Sequence, residues 1–198
     1  MSKVFVTSDT HFGHHNIIRF CSRPYGGVTE MDEDLIKRWN SRVGHADTVY
    51  FLGDFAFASQ SRIIEVLGLL NFMQMFIVPG NHDEKLRSMW AHPVEPVWET
   101  HGVHFITMLD EVQEIRHEGR TFVLCHYPME EWNGKFRGAI HLHGHCHSQH
   151  SNGGKSKSKL NRVEGRYDIG VDMYGGPVEL TGDLSHLDNP KGWQDETR

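Results

Sequence analysis

Only three cysteines, Cys21, Cys125 and Cys146, occur in 198 residues, an odd count without disulfide-like spacing. That excludes a disulfide-stapled secreted scaffold and suits a reducing, cytoplasmic setting. Apolar runs long enough to span a membrane, roughly 20 residues, are also missing. The first residues, MSKVFVTSDTHFGHH, carry one lysine before polar residues and do not read as a secretory signal. Positive charge is in the minority: 20 Lys and Arg against 26 Asp and Glu give a formal net charge of −6. This balance favours solubility and argues against a general electrostatic grip on nucleic-acid backbones, although a local basic patch is compatible with it. Internal repeats and a convincing linker are absent, so residues 1–198 read as one domain long enough to bury a core.

Histidine is what the chain has in excess, with 16 copies. Five of them crowd into 139-AIHLHGHCHSQH-150. Taken alone, that stretch is equally compatible with a metal-scavenging tract and with one edge of a built site. The choice depends on partners elsewhere in the chain.

Short apolar runs at 4–6, 49–52 and 76–78, each bounded by Gly, Asp or Pro, read as buried strands. Between the first two, Met31, Leu35, Trp39 and Val43 recur about every four residues. That spacing predicts a helix, with Thr29 and Asp32 as its capping pair and Gly44 as its stop. The stretch 61-SRIIEVLGLLN-71 predicts another helix. Strands alternating with helices imply crossover connections and a largely parallel sheet. In the second half, 103–107, 111–116, 121–124, 139–142, 167–171 and 178–180 predict strands joined mostly by loops, hence a second sheet with antiparallel pairs. Residues 151–162, SNGGKSKSKLNR, read as a mobile loop, and 185–198 as a polar tail that frays.

Chemistry-bearing residues follow the strands. Asp9 and His11 follow VFVTS, Asp54 follows VYFLG, and Asn81, His82 and Asp83 follow FIVPG. His126 follows FVLC, and His145 and His147 follow AIHLHG. Ligands in open α/β sheets bind beyond the carboxyl ends of strands, so these groups should converge. Oxygen and imidazole donors without thiolate suit Mn²⁺, Fe, Zn²⁺ or Mg²⁺ better than a soft metal. Gly53, Gly80 and Gly144 each precede a candidate ligand, where backbone must turn sharply or approach closely. His145 and His147 lie two apart, which in extended chain puts both on one side. His141 and His143 share that parity but read as structural, and His150 as a surface residue. Cys125 and Cys146 read as small packing residues. His14 is balanced between a substrate contact and a helix-start residue. Lys155, Lys157, Lys159 and Arg162 read as a solvated loop face rather than an anion contact.

The ordered set DTH, LGD, PGNHD, CHYP and HGHCH resembles the calcineurin-like metallophosphoesterases, over about 70% of the chain from Asp9 to His147. The resemblance implies an α/β fold of two packed mixed β-sheets flanked by helices, an α/β/β/α sandwich. It also implies two divalent metal ions, Mn²⁺ first, with Fe, Zn²⁺ or Mg²⁺ also compatible. Asp9, His11, Asp54 and His147 would hold one ion; Asp54 would bridge to the other, held also by Asn81, His126 and His145. His82 would be the catalytic acid or transition-state stabiliser, with Asp83 as its candidate orienting partner, although neighbours on a turn often point apart. His14 and Asn81 would face the substrate.

One departure narrows the reading. Protein phosphatases of the wider superfamily carry G-D-x-V-D-R-G, whereas this chain has 53-GDFAFASQ-60, without the second Asp or the Arg. The expectation is therefore a compact phosphoesterase, a phosphodiesterase acting on a nucleotide or nucleic-acid-type phosphoester through metal-activated hydroxide. A phosphomonoesterase of the same fold and a non-catalytic metal-binding interaction module are the alternatives. Oligomeric state is open.

Overall fold

A computed structural model describes residues 2–91, 104–147, 163–188, 190 and 192–193. The 151–162 segment with Lys155, Lys157, Lys159 and Arg162, together with His150, lies outside the described residues.

Alternation within the early strands sets the layers. β1 (Val4–Thr7), β2 (Thr48–Phe51) and β3 (Gln74–Ile77) send Phe5, Val49, Phe51, Met75 and Ile77 to one face. There they meet α2 (Val28–Arg42) through Met31, Leu35 and Trp39, and α3 (Gln60–Leu69) through Ile63, Val66 and Leu67. Val6, with Leu52 and Val78 just past β2 and β3, points to the other face and packs against Phe122, Leu124 and Leu142 of a second sheet. Burying each such aliphatic side chain stabilises the fold by about 1.5–3 kcal/mol, so Leu35→Ala would cost about 2–5 kcal/mol.

β1, β2, β3 and β4 (Phe105–Met108) run parallel, and β9 (Val178–Glu179) closes the first sheet antiparallel to β1, giving the order β4-β3-β2-β1-β9. The second sheet has the order β5-β6-β7-β8, formed by β5 (Val112–His117), β6 (Arg120–Cys125), β7 (Ile140–His143) and β8 (Arg166–Asp168). Its outer face is covered by Trp132 and Ala139 around a short 3₁₀ turn, Lys135–Arg137. The architecture is thus two mixed sheets of five and four strands flanked by helices. No described helix is long and apolar enough to cross a membrane.

Several expectations need correction. Two of the six second-half strands, β4 and β9, belong to the first sheet. The short helix α4 (Glu84–Ala91) carries the chain back, so β4 arrives parallel to β3 rather than as part of a meander. In the second sheet only β5–β6 is antiparallel, because the long connections before β7 and β8 permit parallel crossovers. The predicted strand at 167–171 is shorter: Val171 already opens α5 (Val171–Tyr174). Thr29 does not cap α2, which starts one residue earlier behind Gly27 without a side-chain cap. Asp32 instead accepts from the Gly13 N–H at 3.0 Å and pairs with Arg62 at 3.0 Å, steadying the turn after β1. The described part of 185–198 is not a free tail. Leu187 is buried, Gly192 N–H donates to the Met173 carbonyl, and Trp193 packs edge-on to Tyr25 at 5.4 Å.

Candidate metal centre

All the candidate ligands stand beyond the carboxyl ends of parallel strands: β1, β2, β3, β6 and β7. Backbone bonds knit these ends together, Asp9 N–H to the Gly53 carbonyl at 3.0 Å and His11 N–H to the Asp54 carbonyl at 3.0 Å. Gly144 N–H donates to the His126 carbonyl, also at 3.0 Å. The turns are tight. A Cβ on Gly53 would stand 2.5 Å from the Gly80 nitrogen and 2.6 Å from His126 Nδ1, and one on Gly80 would collide with the Asp54 carboxylate. Asp9, His11, Asp54, His145 and His147 all have positive φ, from 45° to 69°, which makes them five of the seven such non-glycine residues described. Strain of this kind costs about 1–3 kcal/mol per residue and clusters at functional sites.

The candidate ligand side chains form two groups, and His147 also stands in a third cluster with Cys21 and Asp172. Asp9, His11 and His147 offer ligand atoms within 4.8 Å of one another, and so do Asp54, His126 and His145. Asn81 joins the second group through Oδ1, 3.1 Å from His126 Nε2. Asp54 stands between the groups. Its Oδ2 is 3.5 Å from His11 Nε2 on one side and 3.5 Å from His126 Nε2 on the other. Its Oδ1 accepts the His82 N–H at 2.9 Å, so the exposed His82 is fixed at the rim by its backbone. His126 Nδ1 donates to the Leu52 carbonyl at 2.8 Å, which aims Nε2 inward.

Divalent cations fit this set. His11 Nε2 is buried without a hydrogen-bond partner, which carries a cost unless something else occupies its lone pair. Burial pushes the Asp9 carboxyl up to about 6, against the pull of His147 and His126. Burial alone would raise Asp54 as well, but the His126 and His11 imidazoles hold it well below the usual carboxylate range. His126 is raised to about 9, because Asp54 and Asp9 outweigh the effect of burial, and His147 is raised in the same way by Asp9 and Asp172. Imidazolium protons thus offset buried carboxylates where metal cations would do so.

The model of the calcineurin-like phosphoesterase superfamily domain matches residues 2–163. The chain belongs to this superfamily. An uncharacterized protein of Methanocaldococcus jannaschii is 36% identical over 152 residues, covering 76% of this chain and 72% of its own. The Gene 66 protein of Mycobacterium phage L5 is 28% identical over 176 residues, covering 75% of this chain and 79% of its own. The crystal structure of a protein of unknown function from Aquifex aeolicus shares the fold, with a TM-score of 0.64 at 23% identity, over 90% of this chain and 96% of that one.

The support beneath the two candidate ligand groups carries no sequence motif. Arg23, 4% exposed, makes a two-pronged bond to Asp172 at 2.9 Å and 2.9 Å. It also donates to the carbonyls of Asp9 at 2.7 Å and Thr10 at 2.9 Å. Asp172 in turn accepts from His147 Nδ1 at 2.5 Å, leaving Nε2 to face Asp9 at 4.0 Å. No local motif marks Arg23 or Asp172, which are 149 residues apart in sequence.

Asp83 is a correction. Its carboxylate does not reach His82 but accepts three backbone N–H groups, of Asp54 at 2.7 Å, Phe55 at 2.9 Å and Gly80 at 2.7 Å. It clamps the β2 and β3 turns together and is 1% exposed. Asp83 follows His82 on a turn whose other residues already face the site, so its side chain goes into the body of the loop. His14 lines the cleft, with Nδ1 3.5 Å from His11 Nδ1. His141 lies away from the ligand groups, accepting from Met129 N–H at 3.0 Å and donating to the Val123 carbonyl at 2.9 Å. His143 donates to the Gly144 carbonyl at 2.8 Å. Cys125 is buried and Cys146 half-buried, and neither joins a ligand group.

Proposed function

We propose that this protein is a dinuclear metal-dependent phosphoesterase that prefers diesters. The observation that carries the reading is Asp54, shared at 3.5 Å between two carboxylate–imidazole groups beneath an exposed His82. Asp9, His11 and His147 would hold one ion, and Asn81, His126 and His145 the other, with Asp54 serving both. Mn²⁺ is the first choice by the family resemblance, and the oxygen and nitrogen donors suit Fe, Zn²⁺ or Mg²⁺ as well. Bound there, the ions supply Lewis acidity that neutralises phosphate charge and lowers the pKa of a water nucleophile.

The protein's own groups do the rest. The strained turns hold the ligands at fixed positions, and Arg23 and Asp172 orient His147. His82, whose ring centre is 5.5 Å from that of His11, faces the phosphate and gives a proton to the leaving oxygen as the ester bond breaks. Neither lysine nor arginine lines the cleft among the described residues, so a singly charged diester is favoured over a dianionic monoester. A nucleotide or nucleic-acid-type diester is the substrate class, and the free cysteines and negative net charge suit the cytoplasm.

The test compares Mn²⁺-loaded protein on bis(p-nitrophenyl) phosphate and p-nitrophenyl phosphate. The diester should turn over faster, and His82→Ala should lower kcat by about 10²–10⁴ without altering thermal stability. Absence of turnover on any phosphoester with two ions bound refutes the reading.

A further inference from the structure

The cleft above the two ligand groups has a volume of about 480 Å³ and two unlike walls. One wall is formed by imidazoles and the Asp54 carboxylate. The other is apolar, built from Ile17, Phe20 and Cys21 on and just after α1 (His15–Phe20), with Phe57 from the turn after β2. Phe20 is 54% exposed and Phe57 58% exposed. A single exposed ring is ordinary on a protein surface. Two rings lining the same concavity as a phosphate-binding centre are different, because that surface is dried only when something occupies the cleft.

The ring geometry describes the occupant. Phe57 lies 4.8 Å from the His14 ring at an interplanar angle of 31°, close to parallel, and stands edge-on to His82 at 6.1 Å. Phe20 stands edge-on to His14 at 6.4 Å, with the Arg19 guanidinium 5.4 Å from its ring centre. These are faces and edges suited to a flat ring rather than a branched aliphatic groove. Phe57 is 58% exposed and touches His82 edge-on, so a planar base packed on its open surface would sit beside a phosphate at the ligand groups. The absence of lysine and arginine from the described lining, with a net charge of −6, disfavours a long polyanion tracking across the site.

The geometry points to a nucleobase subsite formed by Phe57 and Phe20 beside the ligand groups, which selects small nucleoside phosphodiesters. This rests on the phosphoesterase reading above. Base–aromatic stacking supplies selectivity for having a base, with little choice among bases.

The experiment is a calorimetric titration of Mn²⁺-loaded protein with thymidine 5′-monophosphate and with methyl phosphate. Both ligands carry the same phosphate group, and only one carries a base. The nucleotide should bind about 5- to 100-fold more tightly, the range that stacking on aromatic side chains commands. The ratio of the two affinities is the readout, so a general loss of fold or metal cancels. Phe57→Ala should bring that ratio to within about twofold of unity, and Phe20→Ala should lower it partway. Phe57→Leu, which keeps apolar bulk but removes the flat face, should resemble Phe57→Ala. If methyl phosphate binds and diesters are hydrolysed, yet the base adds nothing or Phe57→Ala leaves the ratio intact, the subsite is refuted while the phosphoesterase reading stands. If Phe57→Leu keeps the full ratio, stacking is refuted. If neither phosphate binds, the subsite is refuted, and the phosphoesterase reading falls with it when no diester is hydrolysed either.

Discussion

Replacing Asp172 with asparagine separates the two jobs assigned to the Arg23–Asp172 pair. Both side chains are fully buried, and the carboxylate accepts from Arg23 Nε and Nη2 at 2.9 Å each and from His147 Nδ1 at 2.5 Å. Burial alone would raise the Asp172 pKa, but the Arg23 guanidinium and His147 hold it well below the usual carboxylate range. With its folded value depressed, the pair's contribution is complete above about pH 4 and is lost as the pH falls through the folded value. Asparagine keeps the shape and removes the charge, stranding a guanidinium with no exposed surface. Such a break costs about 3–5 kcal/mol. For a chain of this size that lowers Tm by about 6–20 °C in chelator. Without its carboxylate, His147 loses its fixed ring orientation, which should weaken metal binding by about 10- to 100-fold. The double variant Arg23→Met with Asp172→Leu should recover most of the stability, because apolar replacement of a buried pair is often close to neutral. It should still bind metal weakly. Thermal melts in chelator and Mn²⁺ titrations of the wild type and both variants decide the matter. If Asp172→Asn melts within about 2 °C of the wild type, or the double variant binds Mn²⁺ as tightly as the wild type, the proposed roles are wrong.

Metal uptake should release protons, since Asp9 at about 6 and His126 at about 9 are titrated by binding, and affinity should rise with pH across roughly 6 to 9. Calorimetry in buffers of different ionisation enthalpy checks this; a pH-independent affinity counts against the ligand set. Gly80→Ala drives a Cβ into Asp54, 2.6 Å from its backbone nitrogen. It should cost about 1–3 kcal/mol and reduce bound metal, measured by melts and metal content after dialysis. Within the histidine-rich stretch, His141→Ala should destabilise by about 1–3 kcal/mol, because it strands the Met129 N–H and Val123 carbonyl, with metal stoichiometry kept. His145→Ala, on an exposed side chain, should do the reverse.

The legible part of this protein was the part written in local pattern. Three apolar runs followed by Asp, Asn and His residues revealed both the parallel strands and the strand ends where the candidate ligands gather, since a strand and its terminal turn are contiguous in sequence. Sheet membership was harder. Nothing within 105–108 says that it pairs with β3; α4, a short and polar helix at 84–91, decides that, and its pattern is too weak to announce itself. β9 is two residues long and joins β1 from across the chain, a pairing fixed by tertiary packing alone. Arg23 and Asp172 were invisible for the same reason. Asp83 shows the opposite failure: it sits inside a recognisable motif, yet its carboxylate serves backbone amides rather than its neighbour.

The strain in the site accounts for the density of that hidden support. Five candidate ligand residues in left-handed backbone, a buried carboxyl raised to about 6 and a His11 nitrogen without a hydrogen-bond partner would not persist in an isolated loop. They persist because the surroundings over-determine them. Asp83 accepts three amides across two turns, and Asp32 holds the turn after β1. Arg23 grips the Asp9 and Thr10 carbonyls while pairing with Asp172. Each of these charged groups is buried, and each acts on backbone or on a ligand's second nitrogen rather than on the centre of the cleft. The division follows from charge. Any further carboxylate facing the ligand groups would lower their net positive charge and repel phosphate, whereas one behind them can orient imidazoles while its own charge is cancelled by arginine. Among the described residues the fold therefore places imidazoles and two carboxylates, Asp9 and Asp54, at the front, and keeps Asp83, Asp172 and Arg23 behind them.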